Sequence, residues 1–219
     1  MASDDEWTSP IAAEVGPDGQ IWVIDWYNYI IQHNPTPPGF KTGKGNAYES
    51  PLRDKNHGRI YRVVYTRADQ AKPMTLKDAG PDQLVAALRH DNLFWRKHAQ
   101  RLLVERGQAD VVPALLDLVR SQNVDALGLN PGALHALWTL HGLGMLEGAH
   151  PKVNAAAHAA LGHPSAGVRR TAVTILPRLE SSVQAILKHR LLEDGDAQVR
   201  LASLLALAEM PSSAAAGEA

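Results

Sequence analysis

Six polar residues in the first sixty are of types that do chemistry: Asp25, Asn28, His33, Asn34, His57 and Arg59. Together they offer a carboxylate, two imidazoles, two amides and a guanidinium. If they converged they would make a site for a polar ligand or an ion. The alternative is local. Asp25 and Asn28 would accept backbone amides where a strand passes into a loop, as Asx residues commonly do, and Arg59 would pair with a neighbouring charge. Spacing alone leaves both readings open. The remaining histidines (His90, His98, His135, His141, His150, His158, His163 and His189) show no His-Glu-x-x-His spacing and read as surface or cap residues.

Other catalytic patterns fail on inspection. Gly39-Phe40-Lys41-Thr42-Gly43-Lys44-Gly45 has three residues between its first glycines where a phosphate loop needs four, and Gly45 stands where a magnesium-binding hydroxyl belongs. Asn34-Pro35-Thr36 has proline in the middle position, so it is not a glycosylation acceptor. There is no Gly-x-Ser-x-Gly elbow for a hydrolase.

The elements that must position the six residues lie between Val15 and Tyr65. Gly16-Pro17-Asp18-Gly19 is turn chemistry, with proline presetting one φ angle and glycine admitting positive φ. Ile21 to Trp26 follows, nearly unbroken in apolarity, which suits a strand buried on both faces. Arg59 to Tyr65 is its antiparallel partner, making a hairpin with a very long connection. That connection, about Tyr29 to Asn56, holds the stiff run Pro35-Thr36-Pro37-Pro38-Gly39 and reads as an ordered excursion. Residues 1–14 read as a lead-in.

From Pro81 onward an internal repeat takes over. The apolar columns Ala99, Leu102 and Leu103; Ala136, Leu140 and Leu143; Ala172, Ile175, Leu176 and Leu179; and Ser203, Ala206, Leu207 and Met210 each have helical spacing. Each follows a break that carries cap residues: Asp91-Asn92, Asn130-Pro131-Gly132, His163-Pro164-Ser165 and Asp194-Gly195-Asp196. Partner stripes fall between them, at Leu84, Val112, Val153 and Val183 and their neighbours. The expectation is four antiparallel helical pairs stacked as an α-solenoid, with a polar, disordered tail over 211–219. Arg96, Lys97, Arg101, Arg106, Arg169, Arg170 and Arg200 would form a basic face, a solvated helix face, or bridges between successive pairs.

Composition narrows the function. The chain of 219 residues has a net charge of −1, which speaks against nucleic acid as a partner. It has no cysteine, so it holds no thiolate metal site and no covalent haem attachment. It has no long apolar run to insert into a membrane and no signal-peptide pattern at its start.

Two resemblances follow from these motifs. The helical part is similar to HEAT-type repeats, through Val168-Arg169 with Ala172, Val199-Arg200 with Ala202, and Arg96 with Ala99, while Ala133 takes the arginine position of the second pair. The front, from Gly16-Pro17-Asp18-Gly19 through Asp25-Trp26-Tyr27-Asn28 and Ile31-Gln32-His33-Asn34-Pro35 to His57-Gly58-Arg59-Ile60-Tyr61-Arg62, resembles one β-propeller blade of the sugar or sorbosone dehydrogenase type. It is similar in particular to the membrane-bound dehydrogenase family of planctomycetes and their relatives.

The resemblance implies a mainly α chain: a partial blade with a long insertion over 1–72, HEAT-like pairs over 73–210, and the tail. It implies a fragment of an extracytoplasmic or periplasmic dehydrogenase-like protein that is not catalytic alone. Asp25, Asn28, His33, Asn34, His57 and Arg59 would join a ligand or ion site of the intact propeller. A quinone-type cofactor, calcium or c-type haem would be held elsewhere in the parent, with none in this chain. The partner would be the remainder of the propeller, or a protein on the solenoid face. The alternative is a HEAT-repeat interaction module with no enzymatic role.

Overall fold

The computed structural model describes residues 3–28, 38–39, 41, 56–67, 69, 71–72, 74–147 and 150–218. It divides into two compact units, Met1–Met74 and Thr75–Ala219. Among the described residues the protein is mainly helical, with a small antiparallel sheet in the first unit.

That sheet has three strands in the order β1 (Pro10–Val15), β2 (Ile21–Asp25) and β3 (Arg59–Val63). The expected hairpin of β2 and β3 is present, with Ile21 opposite Val63, Val23 opposite Tyr61 and Asp25 opposite Arg59. The lead-in reading of residues 1–14 is corrected, because Pro10–Val15 pairs with β2, Val15 opposite Ile21 and Ala13 opposite Val23. Proline, two alanines and a glutamate dilute the β-propensity of Ile11 and Val15, and the tight turn at 16–20 brings the strand into register with β2.

The turn explains its own sequence. The amide of Gly16 donates to the Gln20 carbonyl at 2.9 Å, and Gly19 sits at φ +75°, where a side chain would be strained. A Cβ on Gly16 would lie 2.3 Å from the Trp22 ring, so only glycine lets that indole lie across the turn. The indole Nε1 donates to Asp18 Oδ1 at 3.0 Å, and the Gln20 amide donates to the same oxygen at 3.1 Å. Arg62 pairs with the other carboxylate oxygen. These partners, with the indole bond first, outweigh desolvation and hold the Asp18 carboxyl at about 2.

The expectation of a strand buried on both faces is also corrected. Along β2 only Val23 and Asp25 are buried, while Ile21 and Ile24 are each 49% exposed. Cross-strand partners share a face, so Trp22, Ile24 and Ile60 lie on one side and Val15, Ile21 and Val63 on the other. All six are exposed.

The second unit begins with α1 (Pro81–Ala87) and α2 (Leu93–Arg106), then α3 (Val112–Arg120) and α4 (Pro131–Gly142). It continues with α5 (Pro151–Ala159), α6 (Ala166–Ile175), α7 (Glu180–Lys188) and α8 (Ala197–Glu209). Four helices pack in a row, α2 on α4, α4 on α6 and α6 on α8, while α1 packs on α2 and α3 on both α4 and α5. The 3₁₀ turns Ala160–Gly162 and Leu191–Glu193 connect α5 to α6 and α7 to α8. The anchor residues Ala99, Ala136, Ala172 and Ser203 are all fully buried, as their small size and spacing require. Gly142 on α4 faces Val104 on α2, and a Cβ there would stand 2.7 Å from that side chain. In the tail, read as disordered from sequence, Ala214–Glu218 forms a short helix α9 that packs near α7.

Candidate functional site

Among the described residues of the first unit, a polar cluster gathers where β2 ends. Asp25 is 1% exposed. Its Oδ1 accepts the Ser9 amide at 2.7 Å and the Tyr27 amide at 2.8 Å, and the Trp26 amide donates to the Ser9 carbonyl at 3.0 Å. One carboxylate oxygen therefore ties the entry to β1 onto the exit from β2. Ser9 Oγ adds a 2.9 Å bond to the carbonyl of Asn28, which is itself buried. Tyr27 takes a positive φ of 51°, a strained conformation for an aromatic residue.

That conformation places the Tyr27 ring beneath Arg59, whose Cζ lies 3.4 Å from the ring centroid, and 5.9 Å from the ring of Trp7. Arg59 Nη1 also donates to Tyr61 Oη and to Asp5 Oδ2, each at 3.3 Å. Asp25 Oδ2 is buried, and among the described residues it makes no hydrogen bond of ideal geometry. Burial pushes the Asp25 carboxyl up, but the Ser9 and Tyr27 amides, the Tyr61 hydroxyl and the Arg59 charge outweigh it, and the net shift is downward. The group is an ionised, enclosed carboxylate held by two backbone amides, the Tyr61 hydroxyl and the Arg59 charge. Chemically it can accept a hydrogen bond from a donor-rich ligand or stand as fixed negative charge beside Arg59.

Of the six residues singled out by sequence, the structure gathers Asp25, Asn28 and Arg59. His57 is exposed just before β3. His33 and Asn34 lie outside the described residues. Among the described residues no group of three or more His, Asp or Glu side chains could hold a metal ion. Asp5, Trp7, Ser9, Tyr27 and Tyr61 complete the cluster and were missed. Recognising β1 would have found the first three, because pairing Pro10 with Asp25 brings residues 5–9 alongside it.

The second unit uses its polar residues differently. Arg96 Nη1 reaches the carbonyls of His90 and Asp91, Arg169 Nη1 those of His163 and Pro164, and Arg200 Nη1 those of Asp194 and Gly195. Each arginine closes the loop that precedes its own helix. In the same loops His90 Nδ1, His163 Nδ1 and Asp194 Oδ1 accept the amide two residues on, at 2.9, 2.9 and 2.8 Å. Histidine here mimics an Asx turn.

Arg169 further grips Asp194 with Nε and Nη2, both at 2.7 Å, joining α6 to the loop of the next pair. His163 Nε2 donates to the Ser121 carbonyl at 2.9 Å. His135 Nδ1 donates to Gln100 Oε1 at 2.7 Å, across from α4 to α2. Burial and then Arg96 lower the His135 pKa to about 4. His135 and His163 are buried, which corrects the surface reading of those two. The three arginines at the loops each have a structural role in closing their own loop.

No helix among the described residues is long and apolar enough to cross a membrane. Residues 1–67 match the family described as Domain of unknown function (DUF7133), a match that covers the sheet and ends before the helices. No curated protein and no solved structure gives a significant match to the chain.

Proposed function

We propose that the chain is a piece of a propeller-type, dehydrogenase-like protein, the sheet forming one blade of a sugar or sorbosone dehydrogenase-type propeller. In this reading the helical pairs are HEAT-type repeats acting as a scaffold, and the chain is not catalytic alone. The observation that carries it is the sheet with apolar side chains exposed on both faces. A blade is packed face to face between neighbours, so it needs apolar residues on both sides, whereas a sheet over a single core needs them on one.

Asp25, Asn28 and Arg59, with His33, Asn34 and His57, are the proposed contribution to a ligand or ion site in the intact propeller. A quinone-type cofactor, calcium or c-type haem belongs to other parts of that parent, and its location is extracytoplasmic. The coding sequence on either side of this chain tests the reading. Five or more further blade motifs before Met1, or a Cys-x-x-Cys-His segment after Ala219, is the expected result. Finding neither would overturn it. The second reading is an interaction module without enzymatic role, with the helical row engaging a protein partner. What favours it is an open apolar stripe on α8.

A further inference from the structure

Each helix of the row α2, α4, α6 and α8 starts from a short loop, and three of these starts carry a side-chain cap. Asn92 Oδ1 accepts the Phe94 amide at 2.9 Å, and Asn130 Oδ1 accepts the Ala133 amide at 3.0 Å. Asp196 Oδ1 accepts the Gln198 and Val199 amides at 2.9 and 3.0 Å. At α6 the cap residue Ser165 makes no such bond. What organises that start is His163, which is 1% exposed and whose Nδ1 accepts the Ser165 amide at 2.9 Å.

The same ring reaches back to the previous loop. Its Nε2 donates to the Ser121 carbonyl at 2.9 Å, an oxygen that also receives Asn130 Nδ2 at 2.8 Å. A backbone amide only donates, so Nδ1 holds a lone pair and the proton sits on Nε2. This tautomer is neutral, and both of its nitrogens are committed. A second proton on Nδ1 would set donor against donor at 2.9 Å, in a side chain too buried for water to intervene.

The charged neighbours do nothing to ease that conflict. Arg169 of α6 holds the His163 carbonyl, and its carboxylate partner is Asp194. On α3 Arg120 pairs with Asp117, and Asp82 and Arg89 of α1 line the same recess as Ser121 and Asn130. Burial holds His135 on α4 and His158 on α5 toward their neutral forms. Among the described residues no carboxylate bonds to the His163 ring.

We propose that His163 is a proton-sensitive latch between the start of α6 and the loop that precedes α4. The neutral ring ties Ser165 to Ser121. Protonation takes the acceptor from the Ser165 amide, turns the ring out of its site and frees the first turn of α6. The apolar packing of α4 on α6 holds meanwhile. The next joint answers differently. There Asp194 Oδ1 takes the amide two residues on, and Arg169 grips the same carboxylate with two bonds of 2.7 Å. The Arg169 hydrogen bond, foremost, holds the Asp194 carboxyl low, so that joint stays closed where histidines change charge. His90 accepts the Asn92 amide in the loop before α2, but the Asn92 cap keeps that start when His90 is protonated. Acid therefore loosens one start in the row and spares its neighbours. The latch does not depend on the identity of the parent protein.

Amide exchange of the whole chain, followed by NMR and corrected at each pH for the intrinsic rate, reads the latch. From about pH 8 to about pH 5, where histidine gains its charge, protection of the Ser165 amide should fall about tenfold, the order of one hydrogen bond. The Ala133 and Asp196 amides should keep theirs. His163→Asn supplies an acceptor for the same amide that does not titrate, and it should abolish the fall at Ser165. Where that variant fails to fold, the ring nitrogen shifts of the native chain decide. Nδ1 should gain its proton over the interval in which Ser165 loses protection. Ser165 protection that does not change with pH would overturn the proposal, as would a fall that persists in His163→Asn. A ring still in the neutral Nε2–H form after Ser165 has opened would overturn it too. So would an equal fall at Ala133 and Asp196, the mark of global unfolding.

Discussion

Replacing Arg169 with methionine separates the structural reading of the basic residues from a surface role. The side chain is 17% exposed and makes four hydrogen bonds, two to Asp194 at 2.7 Å and two to the carbonyls of His163 and Pro164. Methionine keeps the packing of the stem and removes all four. Asp194, 8% exposed, is left with the Asp196 amide and the Arg200 charge. Breaking a buried pair on one side costs about 3–5 kcal/mol, and these residual partners place the expected loss near the lower end, about 3 kcal/mol.

For a helical unit of this size that loss is a fall of roughly 6–12 °C in Tm. Asp194→Asn keeps an acceptor for both neighbours and should cost about 1–2 kcal/mol. The double variant should lose less than the sum of the two single variants. Urea unfolding followed by helical circular dichroism reads all three. Asp194 also titrates. The hydrogen bond from Arg169 is the largest of the effects that lower the Asp194 pKa below its unfolded value, so the stabilisation is present above the unfolded pKa and is lost as pH falls through the folded one. A loss below about 1 kcal/mol for Arg169→Met, or additive single variants, would refute the reasoning.

Other outcomes follow from the same geometry. His135 has a folded pKa of about 4 against 6.5 unfolded, so the unfolded chain binds the extra proton and stability falls as pH drops between those values. The loss approaches about 3 kcal/mol, and His135→Gln should flatten that part of a stability-against-pH curve. Gly16→Ala drives a methyl into the Trp22 ring and should break the Trp22–Asp18 bond, speeding exchange of the Gly19 and Gln20 amides while Ala99 and Leu103 are unchanged. Asp25→Ala deprives two enclosed amides of their acceptor and should expose the Ser9 and Tyr27 amides to exchange, at a local cost of about 2–4 kcal/mol. Unchanged protection at those two amides would remove the strand-tying role of Asp25.

The helical half was readable because small anchors and long apolar residues recur at helical spacing, and Asn92, Asn130 and Asp196 cap as their types suggest. Ser165 shows the limit. It sits at a cap position but its side chain makes no cap bond, while its own backbone amide donates to His163 Nδ1. A histidine used as an Asx mimic has no signature in sequence, and neither has an arginine that closes its own loop. In the sheet, β2 and β3 announced themselves through β-branched and aromatic residues. β1 did not, because its strand character comes from pairing rather than composition. With β1 unseen, Asp5, Trp7 and Ser9 could not be placed near Asp25, so the cluster was legible only in part.

The central claim is that the sheet is built to be completed by neighbours on both faces. Hydrogen exchange on the monomeric chain tests it most directly, comparing Ile21–Asp25 in β2 with Leu102 and Leu103 in α2. Three strands that leave apolar side chains exposed on both faces should open far more easily than a helix inside the packed row. The account predicts exchange at least about tenfold faster in β2. Equal protection of the two segments in a monomer would contradict it.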